Sequence, residues 1–273
     1  MIVCIIVLYA LLRIAAKITD EDSRINQGNP FLERSKPGGV YERLIKPILD
    51  TALSFAGLVL LAPLFLAIGI AVYADDPGPV FFTQKRMGKN KRYFLCHKYR
   101  TMKTSAPHNV PTHLLENPEW YITRVGKFLR KYSLDELPQL WDAYRRKLSL
   151  IGPRPALWNQ DDLIAERDKY GANDIMPGIT GWAQINGRDE LAIDVKAGYD
   201  GKYAEAIRKG GIPAFIMDIR CFFGTFFAVF RHKGVVEGRT KESDTARKER
   251  AMQHEQDTCP NRRDREKVGR DSG

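Results

Sequence analysis

TALSFAGLVLLAPLFLAIGIAVYA, residues 51–74, carries no charged side chain and holds a proline near its middle. As a straight helix it would reach about 36 Å, enough to cross the hydrocarbon core of a bilayer. Pro63 removes the donor to the carbonyl of Val59 and clashes with that turn, so a kink or break is expected there. Hydropathy alone favours a proline-kinked spanning helix. The flanks point elsewhere: Arg43 and Lys46 precede the segment, and Lys85, Arg86, Lys89, Lys91 and Arg92 follow it. Basic residues beside a membrane segment mark its cytoplasmic side, here at both ends. A helix that breaks at Pro63 and leaves through the leaflet it entered satisfies both flanks, so residues 48–73 are expected to form a re-entrant hairpin.

Outward from that hairpin the chain divides readily. Residues 1–18 are apolar but interrupted by Arg13 and Lys17, with no small-residue cleavage site after them, which suits an uncleaved anchor or an interfacial helix. Residues 19–45 read as a polar linker, and DDPGP at 75–79 closes the membrane element with turn residues. VFFTQKRMGKNKRYFLCHKYRTM, residues 80–102, predicts two short strands around a turn at 88–91, a basic β-hairpin. Helices are expected over 134–144 and 160–170, and over the Phe-rich run 216–230, which suits either a core stripe or a membrane-interface face. Residues 239–273 mix both charges with few apolar residues and should form a solvated tail. The fold class is therefore α+β: a helix-rich, membrane-associated domain over 46–238 with a re-entrant hairpin, a small β-hairpin and amphipathic interfacial helices.

The chain of 273 residues has a formal net charge of +10, which asks for an acidic partner but does not choose among nucleic acid, anionic lipid and phosphorylated small molecules. Cys4, Cys96, Cys221 and Cys259 are too scattered for a zinc-finger set and are expected as free thiols. No glycine pattern matches a dinucleotide fingerprint or a P-loop.

Chemistry concentrates in KYSLDELPQLW, residues 131–141, and SLIGPRP, residues 149–155. Ser133 and Glu136 stand at capping-box spacing. Pro138 favours a register with Asp135 as N-cap, because a proline in the third helical position needs no donor. In either register Asp135 and Glu136 lie at a helix start, whose dipole favours their ionised forms. An acidic pair there is more often a cap than a catalyst. Two arginines change the balance: Arg130 lies just upstream, and Arg154 sits between prolines that hold its backbone, an arrangement suited to phosphate oxygens. A divalent cation such as Mg²⁺ would relieve the repulsion between Asp135 and Glu136 and neutralise a diphosphate. PGITGWAQINGR, residues 177–188, is either a nucleotide-contacting loop or a compact turn packed on Trp182.

In this order the helix break at Pro63, GPVFFTQKRMG, KYRTM, SLDELPQLW, SLIGPRP and PGITGWAQINGR resemble the monotopic bacterial phosphoglycosyl transferases, also called bacterial sugar transferases. The resemblance covers residues 46–238. It implies an enzyme on the cytoplasmic face of the bacterial plasma membrane that uses Mg²⁺, a UDP-sugar and undecaprenyl phosphate at a lipid bilayer, with no nucleic acid. By that resemblance Asp135 attacks the sugar-bearing phosphate and releases UMP, and Glu136 joins it in holding the metal. Arg130 and Arg154 contact phosphate or nucleotide, and Arg188, Asp200 and Asp218 are further substrate-binding positions. A homodimer is left open, as are the sugar and the polysaccharide or capsule pathway served. Arg146, Lys147 and Leu148 depart from the family pattern before Ser149, and Ala62 replaces its common Ser. Two other classes share parts of the pattern: a membrane-tethered basic binding module without turnover, and a metal-dependent phosphohydrolase that passes the phosphoryl group to water.

Overall fold

The structure, a computed structural model, describes residues 25, 26, 29, 39–106, 118–187 and 191–231. The expected anchor at 1–18, most of the linker and the charged tail lie outside the described residues. The chain forms two compact units, and all described residues but Pro118 belong to the first.

A π-helical turn, Tyr41–Ile45, runs directly into α1 (Lys46–Leu60), and α2 (Ala62–Asp75) follows after Leu61. The pair bends by 63° at that break. Breaking at Leu61 puts Pro63 in the first turn of α2, where a missing N–H costs nothing, so the proline starts a helix rather than kinking one. Only one face of this pair is covered. Leu58, Phe65, Ile68 and Val72 pack against Tyr99, Leu129 and Trp141, while Leu53, Phe55, Leu60, Leu66 and Ile70 stay exposed.

The expected hairpin forms from β1 (Phe81–Met87) and β2 (Tyr93–Tyr99), antiparallel from Phe81 opposite Tyr99 to Met87 opposite Tyr93. Its corner turns through Asn90 and Lys91 in the left-handed region. Next come α3 (Arg124–Lys131), a 3-10 turn at Leu134–Glu136, and α4 (Gln139–Tyr144). The continuous helix expected over 134–144 is thus split. Ser133 adopts φ 56° and makes no side-chain cap, and Pro138 itself is the N-cap of α4. Asp135 therefore precedes the helix instead of capping it.

The remaining elements are β3 (Ser149–Ile151), α5 (Asp161–Asp168), β4 (Gly178–Thr180), α6 (Trp182–Ile185), α7 (Ile193–Lys209) and α8 (Gly211–Arg231). α5 answers the helix expected over 160–170, and α8 extends the one expected over 216–230. PGITGWAQ is a strand and a short helix, with Trp182 packed on the core formed by Ile151, Tyr203 and Ile207. α8 exposes Phe215, Ile219, Phe222, Phe223, Phe226 and Phe227, so it is not a core stripe. Its stretch Gly211–Ala228 is long and apolar enough to cross a membrane.

β3 and β4 pair in parallel, and this brings the SLIGPRP and PGITGW motifs into one piece. The Gly152 N–H donates to Thr180 O at 2.7 Å, and the Gly178 N–H donates to Pro153 O at 2.9 Å. A Cβ on Gly178 would stand 2.0 Å from Gly152 N, and one on Gly152 would stand 2.5 Å from Met176 O. Both neighbours are backbone and cannot give way. Gly178→Val is expected to destabilise the fold by at least about 3 kcal/mol, the upper end of overpacking costs. Thermal unfolding of the purified variant measures it; an unchanged midpoint would contradict the packing.

Candidate active site

Three elements converge on the Asp135–Glu136 turn. Strand β2 supplies Lys98, whose Nζ donates to Glu136 Oε1 at 2.8 Å and lies 3.9 Å from Asp135 Oδ2. The loop after β3 supplies Arg154, whose Nη1 and Nη2 donate to the two oxygens of Glu136 at 3.0 and 2.5 Å. The end of α3 supplies Arg130, whose charge acts on Asp135 and whose Nε donates to Thr101 Oγ1 at 2.8 Å.

Each cation is held by structure of its own. His97, beside Lys98, donates its backbone N–H to Asp142 Oδ2 at 2.9 Å and pairs its ring Nδ1 with Asp142 Oδ1 at 2.6 Å. Asp142 lies on α4, so this buried pair fastens the Lys98 strand to the helix that follows the carboxylates. The Arg154 loop is gripped by β1, where the Met87 N–H donates to Ala156 O at 2.9 Å and Arg86 Nη1 donates to Pro155 O at 2.7 Å. The prolines of GPRP and these bonds together fix where the guanidinium stands.

Asp135 and Glu136 are both 8% exposed, yet their charge states diverge. Burial works to raise both carboxyls. At Glu136 the adjacent Arg154 and Lys98 outweigh it and hold the group well below the usual carboxylate range. At Asp135 burial prevails: Lys98 opposes it from a greater distance, the charge of Glu136 adds to it, and the carboxyl is raised. A helix dipole does not set these states, because the carboxylates lie in a 3-10 turn ahead of a six-residue helix. The pair thus comprises one carboxylate saturated with cations and one, equally buried, that the cations hold less closely, the division expected when one acidic group is held fixed and another reacts.

The other sequence-derived positions fall elsewhere. Asp200 is fully buried on α7 and takes Arg167 Nε and Nη2 at 2.8 and 2.6 Å. Burial raises its carboxyl and Arg167 opposes the shift. Asp218, on the covered side of α8, accepts from Tyr41 Oη at 2.8 Å, Lys46 Nζ at 2.8 Å and Tyr203 Oη at 2.6 Å. Neither is hydrogen-bonded to the Asp135–Glu136 cluster. Arg188 lies outside the described residues. Lys98, Thr101 and the His97–Asp142 pair were missed as site residues; the alternation of β2 turns Lys98 and His97 to opposite faces, but no local signal ties either to its carboxylate.

Among the described residues no group of three or more His, Cys, Asp or Glu could hold a metal. Two adjacent carboxylates with no third still suit Mg²⁺, which is usually bound through one or two carboxylates plus substrate phosphates and water. Any such ion would share Glu136 with Arg154 and Lys98.

Arg154→Lys is expected to lower turnover by roughly 100-fold, since an ammonium cannot reproduce the bidentate grip and preorganised donors are worth about that much. Steady-state kinetics on the folded variant measure it, and a loss under threefold would remove Arg154 from the site.

The family model of the bacterial sugar transferases matches residues 41–232. Among curated relatives, the chain is 39% identical over 162 residues to the undecaprenyl-phosphate glucose phosphotransferase of Komagataeibacter xylinus, covering 57% of this chain and 30% of that protein. It is 34% identical over 204 residues to the UDP-glucose:undecaprenyl-phosphate glucose-1-phosphate transferase of Escherichia coli, covering 70% of this chain and 41% of that protein. It is 32% identical over 182 residues to the exopolysaccharide production protein ExoY of Sinorhizobium fredii, covering 62% of this chain and 78% of that protein. The chain thus spans less than half the length of the first two relatives and most of the third. With the match running from the turn before α1 to the end of α8, the chain belongs to the bacterial sugar transferase family.

Proposed function

We propose that this chain transfers a sugar 1-phosphate from a UDP-sugar to undecaprenyl phosphate, the first membrane step in building an exopolysaccharide or related glycan. The observation that carries this reading is the divided carboxylate pair, with Glu136 saturated by Arg154 and Lys98 and Asp135 beside them with Arg130. An Asp135 carboxylate oxygen attacks the sugar-bearing phosphorus, the bond to the UMP oxygen breaks, and UMP leaves. An oxygen of the lipid phosphate then attacks the same phosphorus, the acyl-phosphate bond breaks, and the carboxylate is regenerated. Arg130, Arg154 and Lys98 stabilise charge on the phosphate oxygens in both steps. Mg²⁺ held by Asp135 and Glu136 would add neutralisation of the diphosphate.

Incubating membranes that carry the protein with a panel of radiolabelled UDP-sugars and undecaprenyl phosphate tests the proposal. Labelled lipid and UMP are expected with one or a few sugars. Release of free sugar phosphate without labelled lipid would favour the phosphohydrolase, and no reaction with any sugar would end the transferase reading.

The nucleophile must be deprotonated, and burial raises its carboxyl. Adduct formation in a single turnover should therefore fall on acidification at a pH above that of an ordinary aspartate, about 3.9, while Glu136 stays charged. An acid limb at or below the ordinary value would contradict the assignment.

The 63° bend at Leu61 and the apolar exposed faces of α1 and α2 support the re-entrant reading, and the basic residues on both flanks favour a catalytic domain on the cytoplasmic face of the plasma membrane. Single cysteines at Arg43 and Thr83 are expected to react with impermeant reagent from the cytoplasmic side only. Labelling from opposite sides would replace the hairpin by a span.

A further inference from the structure

α7 and α8 meet at Gly210 and Gly211, both with positive φ, and between the two helices lies a cavity of about 360 Å³. One wall is polar: Lys202, Glu205 and Lys209 of α7 face it, with Arg220 of α8 at the rim. The other is apolar, built mainly from Ile212 and Ile216. Glu205 is taken by Lys209 at 2.8 Å. Lys202 stands 5.5 Å from the centre of the Tyr199 ring, and among the described residues neither Lys202 nor Arg220 forms an ion pair with a carboxylate. Two cations therefore face a cavity whose only acidic side chain is already neutralised.

The apolar wall does not end at the cavity. Ile212 is 74% exposed, and the exposed run continues along α8 through Ile219, Phe222, Phe223 and Phe226. From Gly211 to Ala228, Arg220 is the only charged side chain on the exposed face of α8, Asp218 being buried. A charged mouth opening onto a largely apolar helix face matches an amphiphile with an anionic head and long chains, not a free phosphate, which would leave Ile212 and Ile216 in water. None of the lining residues is among those that surround Asp135 and Glu136, so the cavity is built from other side chains than the candidate active site.

We propose that this cavity binds an anionic bilayer phospholipid, its head-group phosphate between Lys202 and Arg220 and its chains against Ile212 and Ile216. The site is peripheral to the transfer reaction. It would fix how α8 lies on the membrane by engaging a lipid of the surrounding bilayer.

The test uses the full chain and vesicles of phosphatidylcholine with or without phosphatidylglycerol. Lys202→Glu combined with Arg220→Glu is expected to weaken binding to phosphatidylglycerol vesicles by at least about 10-fold, each basic residue near an anionic surface contributing roughly fivefold. Binding to pure phosphatidylcholine should not change. The charge-matched pair Lys127→Glu with Lys169→Glu, at exposed positions away from the cavity, should cost much less. Equal losses in the two double variants would mean diffuse attraction only and would overturn the site, as would no loss in the first. A third arm replaces phosphatidylglycerol by a polyprenyl monophosphate at equal charge; a loss confined to those vesicles would assign the cavity to the acceptor lipid and overturn the proposal. None of these readouts depends on the transfer reaction.

Discussion

Asp135→Asn is expected to abolish turnover, by roughly 10⁴-fold or more, the scale seen when a nucleophile acting as part of a unit is removed. The amide keeps the shape of the side chain and the surrounding cations, so folding should survive. The discriminating measurement is a half-reaction. Enzyme and UDP-sugar without lipid should release UMP in proportion to enzyme, and a phosphosugar adduct should map to Asp135. The Asp135→Asn variant should give neither. An adduct elsewhere, or full activity in the variant, would strip Asp135 of its role. Glu136→Gln should behave differently: with one carboxylate charge lost, Arg154 and Lys98 are held less firmly, and the loss should appear in substrate affinity as well as in rate.

Arg167→Ala is expected to cost about 3–5 kcal/mol of stability, the range for breaking a buried ion pair from one side. Asp200 has no exposed surface and its carboxylate is already raised by burial; its Oδ1 has no hydrogen-bond partner and its Oδ2 takes both Arg167 bonds. Without the guanidinium the acid can only take up a proton or drag water inward. The deficit should therefore shrink on acidification, because protonation removes the unpaired charge. Urea unfolding at two pH values measures both effects. Lys169→Ala, which breaks the solvent-exposed pair with Glu166 one turn away, should leave the midpoint unchanged. A variant of Arg167 as stable as the parent would show that the pair contributes nothing.

Much of the fold was legible where the signal is local. Pro63 in an uncharged run announced a broken helix, and β-branched and aromatic residues around Gly88–Lys91 announced the hairpin. Residues 160–170 and 216–230 read as helix from their periodicity. β3 and β4 were not legible, since three residues each leave no period to read, and their pairing rests on Gly152 meeting Gly178 across the fold. The carboxylates themselves stood out, but their setting did not. The left-handed Ser133 converts a capping-box spelling into a 3-10 turn, and no spacing rule anticipates that. Nor does any local pattern bring Lys98 to Glu136 across 38 positions, or His97 to Asp142 across 45. Arg154 was legible because its prolines mark a held loop, while Asp200 and Asp218 could be placed only by seeing what surrounds them.

The Asp218 cluster bears on how far this chain can be trimmed. Its carboxylate is held by Tyr41 and Lys46 at the root of α1 as well as by Tyr203, and Asp50 accepts from Ser149 Oγ at 2.6 Å on the strand that leads to Arg154. Cutting away the apolar helices to obtain a detergent-free catalytic half would leave Asp218 without Tyr41 and Lys46 and take from Ser149 its bond to Asp50, leaving only Ile151 O to accept. The smallest autonomous catalytic piece therefore starts ahead of Tyr41 and keeps both helices, so solubility has to be sought by recolouring their outer faces rather than by excision.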